Sequence, residues 1–242
     1  MNSKKPFLTA EWRHLAMLNY PVDREVLAPY IPADTTLDTY QGVAYLSLVG
    51  FLFLKTKLLG LAIPFHQDFE EVNLRFYVRR LADDGWRRGV VFIKEIVPKL
   101  AISAVARICY NENYVMLPMR HRVDPPTDDL PGFVEYGWKS GRRWDQLQLR
   151  TQGSPLPPAP GSIEEFITEH YWGYTVQKDA SCLEYQVEHP PWRIWRAAEA
   201  SLDCDVAGLY GPQFSEALGA RPSSAFLAEG STVAVHKGAV II

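Results

Sequence analysis

The stretch that most constrains the fold runs from Phe69 to His121, opening FEEVNLRFYVRR and closing ARICYNENYVMLPMRH. From Glu71 to Arg79 the residues alternate strictly. Val72, Leu74, Phe76 and Val78 fall on one side; Glu71, Asn73, Arg75, Tyr77 and Arg79 fall on the other. A period of two is that of a β-strand, whose successive side chains point to opposite faces. Asp84–Gly85 is a hairpin signal. The return strand, Gly89 to Val97, ends at Pro98, which cannot donate to a ladder. Ala101 to Tyr110 reads as another apolar strand, with a helix as the alternative because it carries three alanines.

Elsewhere the signals are of the same kind. Asp23 to Tyr30 reads as a short helix capped by Asp23 and stopped by Pro32. Thr36–Tyr40 and Val43–Leu54 read as strands around Gln41–Gly42, the second apolar on both faces and so buried on both. Two proline-rich stretches, 124–132 and 151–161, read as surface loops, because the segment between them is too short to fold as a domain. A single domain over residues 1–242 follows. Ser162 and Glu165 form a capping box before Phe166, Ile167 and His170. Strands near Leu183–Glu188 and Trp195–Asp203, a helix around Gln213–Leu218 and a closing strand Ser231–Ile242 complete an α+β, mainly antiparallel β pattern.

Composition removes several function classes. A net charge of −3 gives no basic field for a phosphate backbone, so nucleic acid is not expected as a partner. The three cysteines, Cys109, Cys182 and Cys204, are odd in number and never in C-x-x-C spacing. That argues against a disulfide framework and a zinc site, and fits a reducing, cytoplasmic compartment. No apolar core follows Lys4–Lys5 as in a signal peptide. The apolar run Val43–Phe65 is broken by Lys55 and Lys57, short of the roughly 20 residues a spanning helix needs. Nucleotide-binding glycine motifs, G-x-S-x-G and H-E-x-x-H are absent from the sequence. No metal and no cofactor is expected.

What remains is a set of charged residues inside apolar strands. The stripe Glu71, Asn73, Arg75 is either a solvated sheet face or the lining of a lumen, where inward side chains alternate with outward ones. Lys94 and Glu95 are neighbours in GVVFIKEIV, so regular alternation puts Lys94 with Phe92 and Ile96, and Glu95 with Ile93 and Val97. A desolvated Lys94 would have a lowered pKa and attack carbonyl carbons; alternatively it snorkels to solvent. Arg107 is either half of an ion pair with Glu71, Glu95 or Glu112, or a fork for a substrate carboxylate. Arg120 and His121 would extend the same cationic site.

The segments FEEVNLRFYVRR, GWRRGVVFIKEIVPKLAISAVARICYNENYVMLPMRH, EEFITEHYWGYT and VEHPPWRIW resemble the YqjF-like family, which is similar in fold to acetoacetate decarboxylase. The resemblance spans the chain from Glu11-Trp12-Arg13 to the last strand. It implies an antiparallel β barrel or cone with peripheral helices and an internal cavity. The decarboxylase's Schiff-base chemistry rests on two consecutive lysines after Gly-Arg-Glu; here the adjacent lysines are Lys4–Lys5 and no Gly-Arg-Glu occurs. The expectation is a protein for a small organic carboxylate or carbonyl compound, either a lyase or related carbonyl enzyme with Lys94 as its candidate nucleophile, or a non-catalytic binding or sensing protein. The expected partners exclude a membrane and allow a homo-oligomer.

Overall fold

The computed structural model describes residues 5–62, 64, 66–98, 113–127 and 130–241. Its strands in chain order are β1 (Leu8–Val22), β2 (Thr36–Leu37), β3 (Ala44–Leu58), β4 (Leu61–Ala62), β5 (Phe69–Ala82), β6 (Gly85–Val97), β7 (Tyr114–Met116) and β8 (Met119–Asp124). They continue as β9 (Phe133–Ser140), β10 (Arg143–Leu156), β11 (Trp172–Val176), β12 (Cys182–Glu188), β13 (Ile194–Asp203), β14 (Ser224–Val235) and β15 (Ala239–Ile241). The described helices are short: α1 (Arg24–Leu27), α2 (Ile163–Thr168), α3 (Val206–Leu209) and α4 (Ser215–Gly219).

The strands join in one sheet that closes on itself. Following the hydrogen bonds, β12, β11, β6, β5, β3, β1 and β14 lie side by side, and β14 returns to β12 through Val187↔Val235 and Glu188↔Ala234. Most pairings are antiparallel; β6 is parallel to both β7 and β11. Beyond β14 the sheet continues through β13, β10, β9 and β8. This extension covers the outside of the ring: Tyr136, Trp138, Leu147 and Leu149 pack in one cluster with Leu46, Leu48, Val72 and Leu74. Contact is close at Gly50, where an added Cβ would overlap the Tyr136 ring, so a glycine is required there.

The ring wall is therefore buried on both faces. On β5, Val72, Leu74, Phe76 and Val78 belong to the outer core, while Tyr77 joins the inner core with Val49, Phe51, Val90 and Phe226. Fully burying each such aliphatic or aromatic side chain stabilises the fold by about 1.5–3 kcal/mol. Helix α2 closes the inner core with Phe166 and Ile167; its capping box puts the Ser162 hydroxyl 3.2 Å from the Glu165 amide that donates to it. Leu209 of α3 and Leu218 of α4 belong to the outer core.

Four sequence expectations change. Strand β1, 15 residues long, was not anticipated. Its alternation is interrupted where His14 adopts φ 55° and the register with β3 shifts between Arg13 and Ala16. Residues 151–156, read as loop, continue β10 to pair Leu156 with Ile194. The closing strand is two, β14 and β15, separated at 236–238. On β6 the register with β5 slips between Leu74↔Lys94 and Arg75↔Phe92, leaving Ile93 as the extra residue of a β-bulge. The bulge resets the alternation that the sequence suggested. The segment Ala101–Tyr110 lies outside the described residues.

Candidate functional site

A cavity of about 130 Å³ lies inside the ring, lined by residues from every strand of the circuit. A dry cavity of about 150 Å³ is known to hold benzene, so the space suits a molecule of about that size. The wall is mainly apolar and rich in aromatic side chains, among them Trp12, Phe51, Phe69, Phe92 and Trp192. One patch is polar: Glu71, Asn73, Arg75, Glu95 and Tyr114.

The polar stripe of β5 thus faces the cavity, and the solvated-face alternative fails: Glu71 and Asn73 are each 2% exposed and Arg75 9%. Asn73 stands directly opposite Glu95 on β6, which is what brings Glu95 into the same patch. Asn73 Nδ2 donates to Glu71 Oε1 at 2.9 Å, and the Tyr114 hydroxyl donates to Glu71 Oε2 at 3.4 Å. Arg75 differs from its neighbours. Among the described residues its guanidinium has no carboxylate partner, its Nε is sealed without a hydrogen bond, and it lies over the Tyr77 ring, 5.8 Å from the centroid. A buried cation without a counter-ion is costly, and a carboxylate matches its planar fork.

Two histidines complete the lining. His170 Nε2 stands 3.2 Å from Asp38 Oδ2, and Arg88 Nε donates to the same oxygen at 2.6 Å. Burial works against an ionised Asp38, but the His170 and Arg88 hydrogen bonds outweigh it and hold the carboxyl below its ordinary range. Burial pushes the His170 pKa down to about 4, against the opposing pull of Asp38, so the ring is neutral at pH 7. His189 lies over Trp192, ring centroids 4.1 Å apart and nearly parallel at 16°, with Tyr171 4.7 Å away. Its Nδ1 is 3.0 Å from the Pro190 carbonyl, which can only accept, so Nδ1 carries the proton and Nε2 is a bare lone pair. Burial, helped by the Arg75 cation, lowers its pKa to about 4.

The structure thus brings Glu71, Asn73, Arg75 and Glu95 together. It does not bring Lys94. Because Ile93 is bulged out of register, Lys94 falls on the outer side of the wall, where its ammonium donates to the Leu209 carbonyl of α3; burial lowers its pKa. The expected grouping of Lys94 with Phe92 is overturned, since Phe92 lines the cavity and Lys94 does not. Arg120 and His121 also lie elsewhere, on β8: Arg120 stacks on Trp144 and approaches Glu135 at 3.5 Å, and His121 Nδ1 meets Glu70 at 2.6 Å. Arg107 lies outside the described residues. His189 was missed because it follows the last residue of β12 without any periodic signal. No cluster of three or more metal-binding side chains occurs among the described residues, and none of the described helices is long and apolar enough to cross a membrane.

This mainly antiparallel sheet closed into a ring is a fold shared with acetoacetate decarboxylase-like proteins. The chain belongs to the DUF2071 family of uncharacterized conserved proteins, whose model matches residues 9–232. It is 26% identical over 207 residues to the uncharacterized protein YqjF of Bacillus subtilis, covering 84% of this chain and 82% of that one. Among solved structures, the enduracididine biosynthesis enzyme MppR with HEPES buffer bound superposes with a TM-score of 0.70 at 12% identity, covering 98% of this chain and 89% of that one. The same enzyme complexed with pyruvate gives 0.68 at 10% identity, with 98% and 91% covered. Acetoacetate decarboxylase from Legionella pneumophila gives 0.67 at 13% identity, with 98% and 87% covered.

Proposed function

We propose that this protein binds a small organic carboxylate that also carries a carbonyl group, with Arg75 holding the carboxylate and the aromatic wall enclosing the rest. The observation that carries this reading is the buried Arg75 guanidinium, which lines the cavity and has no counter-ion among the described residues. The desolvation it suffers is recovered when a ligand oxyanion accepts its hydrogen bonds. The pyruvate complex of the structurally similar MppR supports a 2-oxo acid as the ligand class. A Schiff-base lyase acting through Lys94 is disfavoured, since that amine is turned to the Leu209 carbonyl. The free thiols of Cys182 and Cys204 fit work in a reducing compartment.

The test is titration calorimetry of the full chain with acetate, propionate, pyruvate, 2-oxobutanoate and phenylacetate, each beside its uncharged amide. The reading expects saturable binding of one or more acids and none of the matching amides. Equal affinity for acid and amide, or no binding across the panel, refutes it.

A further inference from the structure

The cavity wall holds two neutral histidines, and only one has a usable lone pair. His170 spends Nε2 on Asp38, and its Nδ1 is sealed from the cavity. His189 is arranged the other way. Its Nδ1 is committed to the Pro190 carbonyl, its ring packs against those of Trp192 and Tyr171, and its Nε2 is neither bonded to a described residue nor among the sealed atoms of the wall. The ring is partly exposed, so protons can pass between it and water.

We infer that the cavity is an acid–base site, in which His189 Nε2 removes a proton from the carbon beside the carbonyl of a 2-oxo acid whose carboxylate is held by Arg75. This rests on the carboxylate reading above. In the step, the C3–H bond breaks as the Nε2–H bond forms. The C–H electron pair becomes the C2=C3 bond, and the C2=O π pair moves to oxygen as an enolate beside the Arg75 cation. The imidazolium then returns a proton to C3, or exchanges it with water first. Nothing is oxidised or reduced, and no further reactant is consumed. A neutral imidazole is in the correct form to act as the base, and burial together with Arg75 keeps His189 in that form at pH 7. No amine is required, which accords with a cavity lined by no lysine among the described residues.

The experiment follows loss of the C3 methylene signal of 2-oxobutanoate in D2O by proton NMR, with the full chain. The expected result is exchange faster than in buffer alone. His189→Gln and His189→Asn should lose at least about 100-fold of that acceleration, the scale of a general base, while the Kd for 2-oxobutanoate changes less than 3-fold. As a check that needs no variant, diethyl pyrocarbonate should abolish exchange in step with modification of His189, mapped by peptide mass spectrometry, and 2-oxobutanoate should protect. Wild-type protein that binds 2-oxobutanoate without accelerating exchange overturns this inference and leaves the carboxylate reading standing. Exchange that survives loss or modification of His189 overturns it as well. Failure to bind any carboxylate overturns both.

Discussion

Replacing Arg75 with Met separates a residue kept for a ligand from one kept for stability. Arg75 is 9% exposed and has no counter-ion among the described residues. The effective penalty for burying such an ion is several kcal/mol after relaxation. The cation is partly compensated by the carboxylates of its own patch. Asn73 pairs across the ladder with Glu95, so Arg75 lies one diagonal step away, roughly 8 Å. At an effective dielectric near 20, one ionised carboxylate at that distance returns about 2 kcal/mol. The balance favours methionine, which fills a similar volume without charge, by about 1 kcal/mol. For a chain of 242 residues that raises Tm by about 2–4 °C. Binding moves the opposite way. Loss of a charge-assisted fork costs about 3 kcal/mol, or roughly 100-fold in Kd. Thermal unfolding and calorimetry on the same preparations read both quantities. Arg75→Met protein destabilised by more than about 2 kcal/mol, with carboxylate affinity unchanged, would refute the reasoning and make Arg75 a structural residue.

Lys94 should give no borohydride-trapped adduct with a panel of small keto acids, and Lys94→Met should leave carboxylate affinity unchanged, because its ammonium faces Leu209 and not the cavity. An adduct mapped to Lys94 by mass spectrometry would contradict that placement. Gly173→Ala puts a Cβ into the ring of Tyr185, which lines the cavity. It should cost about 1–3 kcal/mol in denaturant unfolding, as overpacking does. A cost below about 0.5 kcal/mol would show that Tyr185 moves freely. Stability should fall as pH drops from about 6.5, the ordinary histidine value, to about 4, the value to which burial lowers both His170 and His189. The sign follows because the unfolded chain takes up protons in this window and the folded chain does not. Each histidine contributes at most about 3 kcal/mol, and denaturation of His170→Gln over the same window should show a shallower slope.

The strands were legible wherever one rule of periodicity held. Val72 to Val78 alternate without interruption, and the structure sorts them to one side of the wall and Glu71, Asn73, Arg75 and Tyr77 to the other. The apolar run at the start of β3 was readable as doubly buried because neither of its faces carries charge. Legibility failed where the backbone breaks period. At His14 a left-handed residue and a register shift divide β1 into two pieces of different phase, hiding a central 15-residue strand. Proline and glycine near residues 153–155 signal a loop, yet the strand runs through them by skipping register between Gln152 and Leu156.

The site shows the same limit more sharply, because one bulge decides its chemistry. Strict alternation along β6 would put Lys94 beside Phe92, on the cavity side, and make a lysine nucleophile plausible. The extra residue Ile93 reverses that, turning Lys94 outward and Glu95 inward opposite Asn73. A bulge of this kind is set by the strand's fit to its neighbour, and no single residue type at Ile93 announces it. The histidines are hidden for a different reason. His170 follows the end of α2, and His189 follows the end of β12; chain closure around the ring, not sequence proximity, brings them to Arg75 of β5. What the sequence carries is therefore one wall of the cavity, the β5 stripe of Glu71, Asn73 and Arg75. The base that would act on a substrate held there comes from the strand end where β14 returns to β12 and closes the ring.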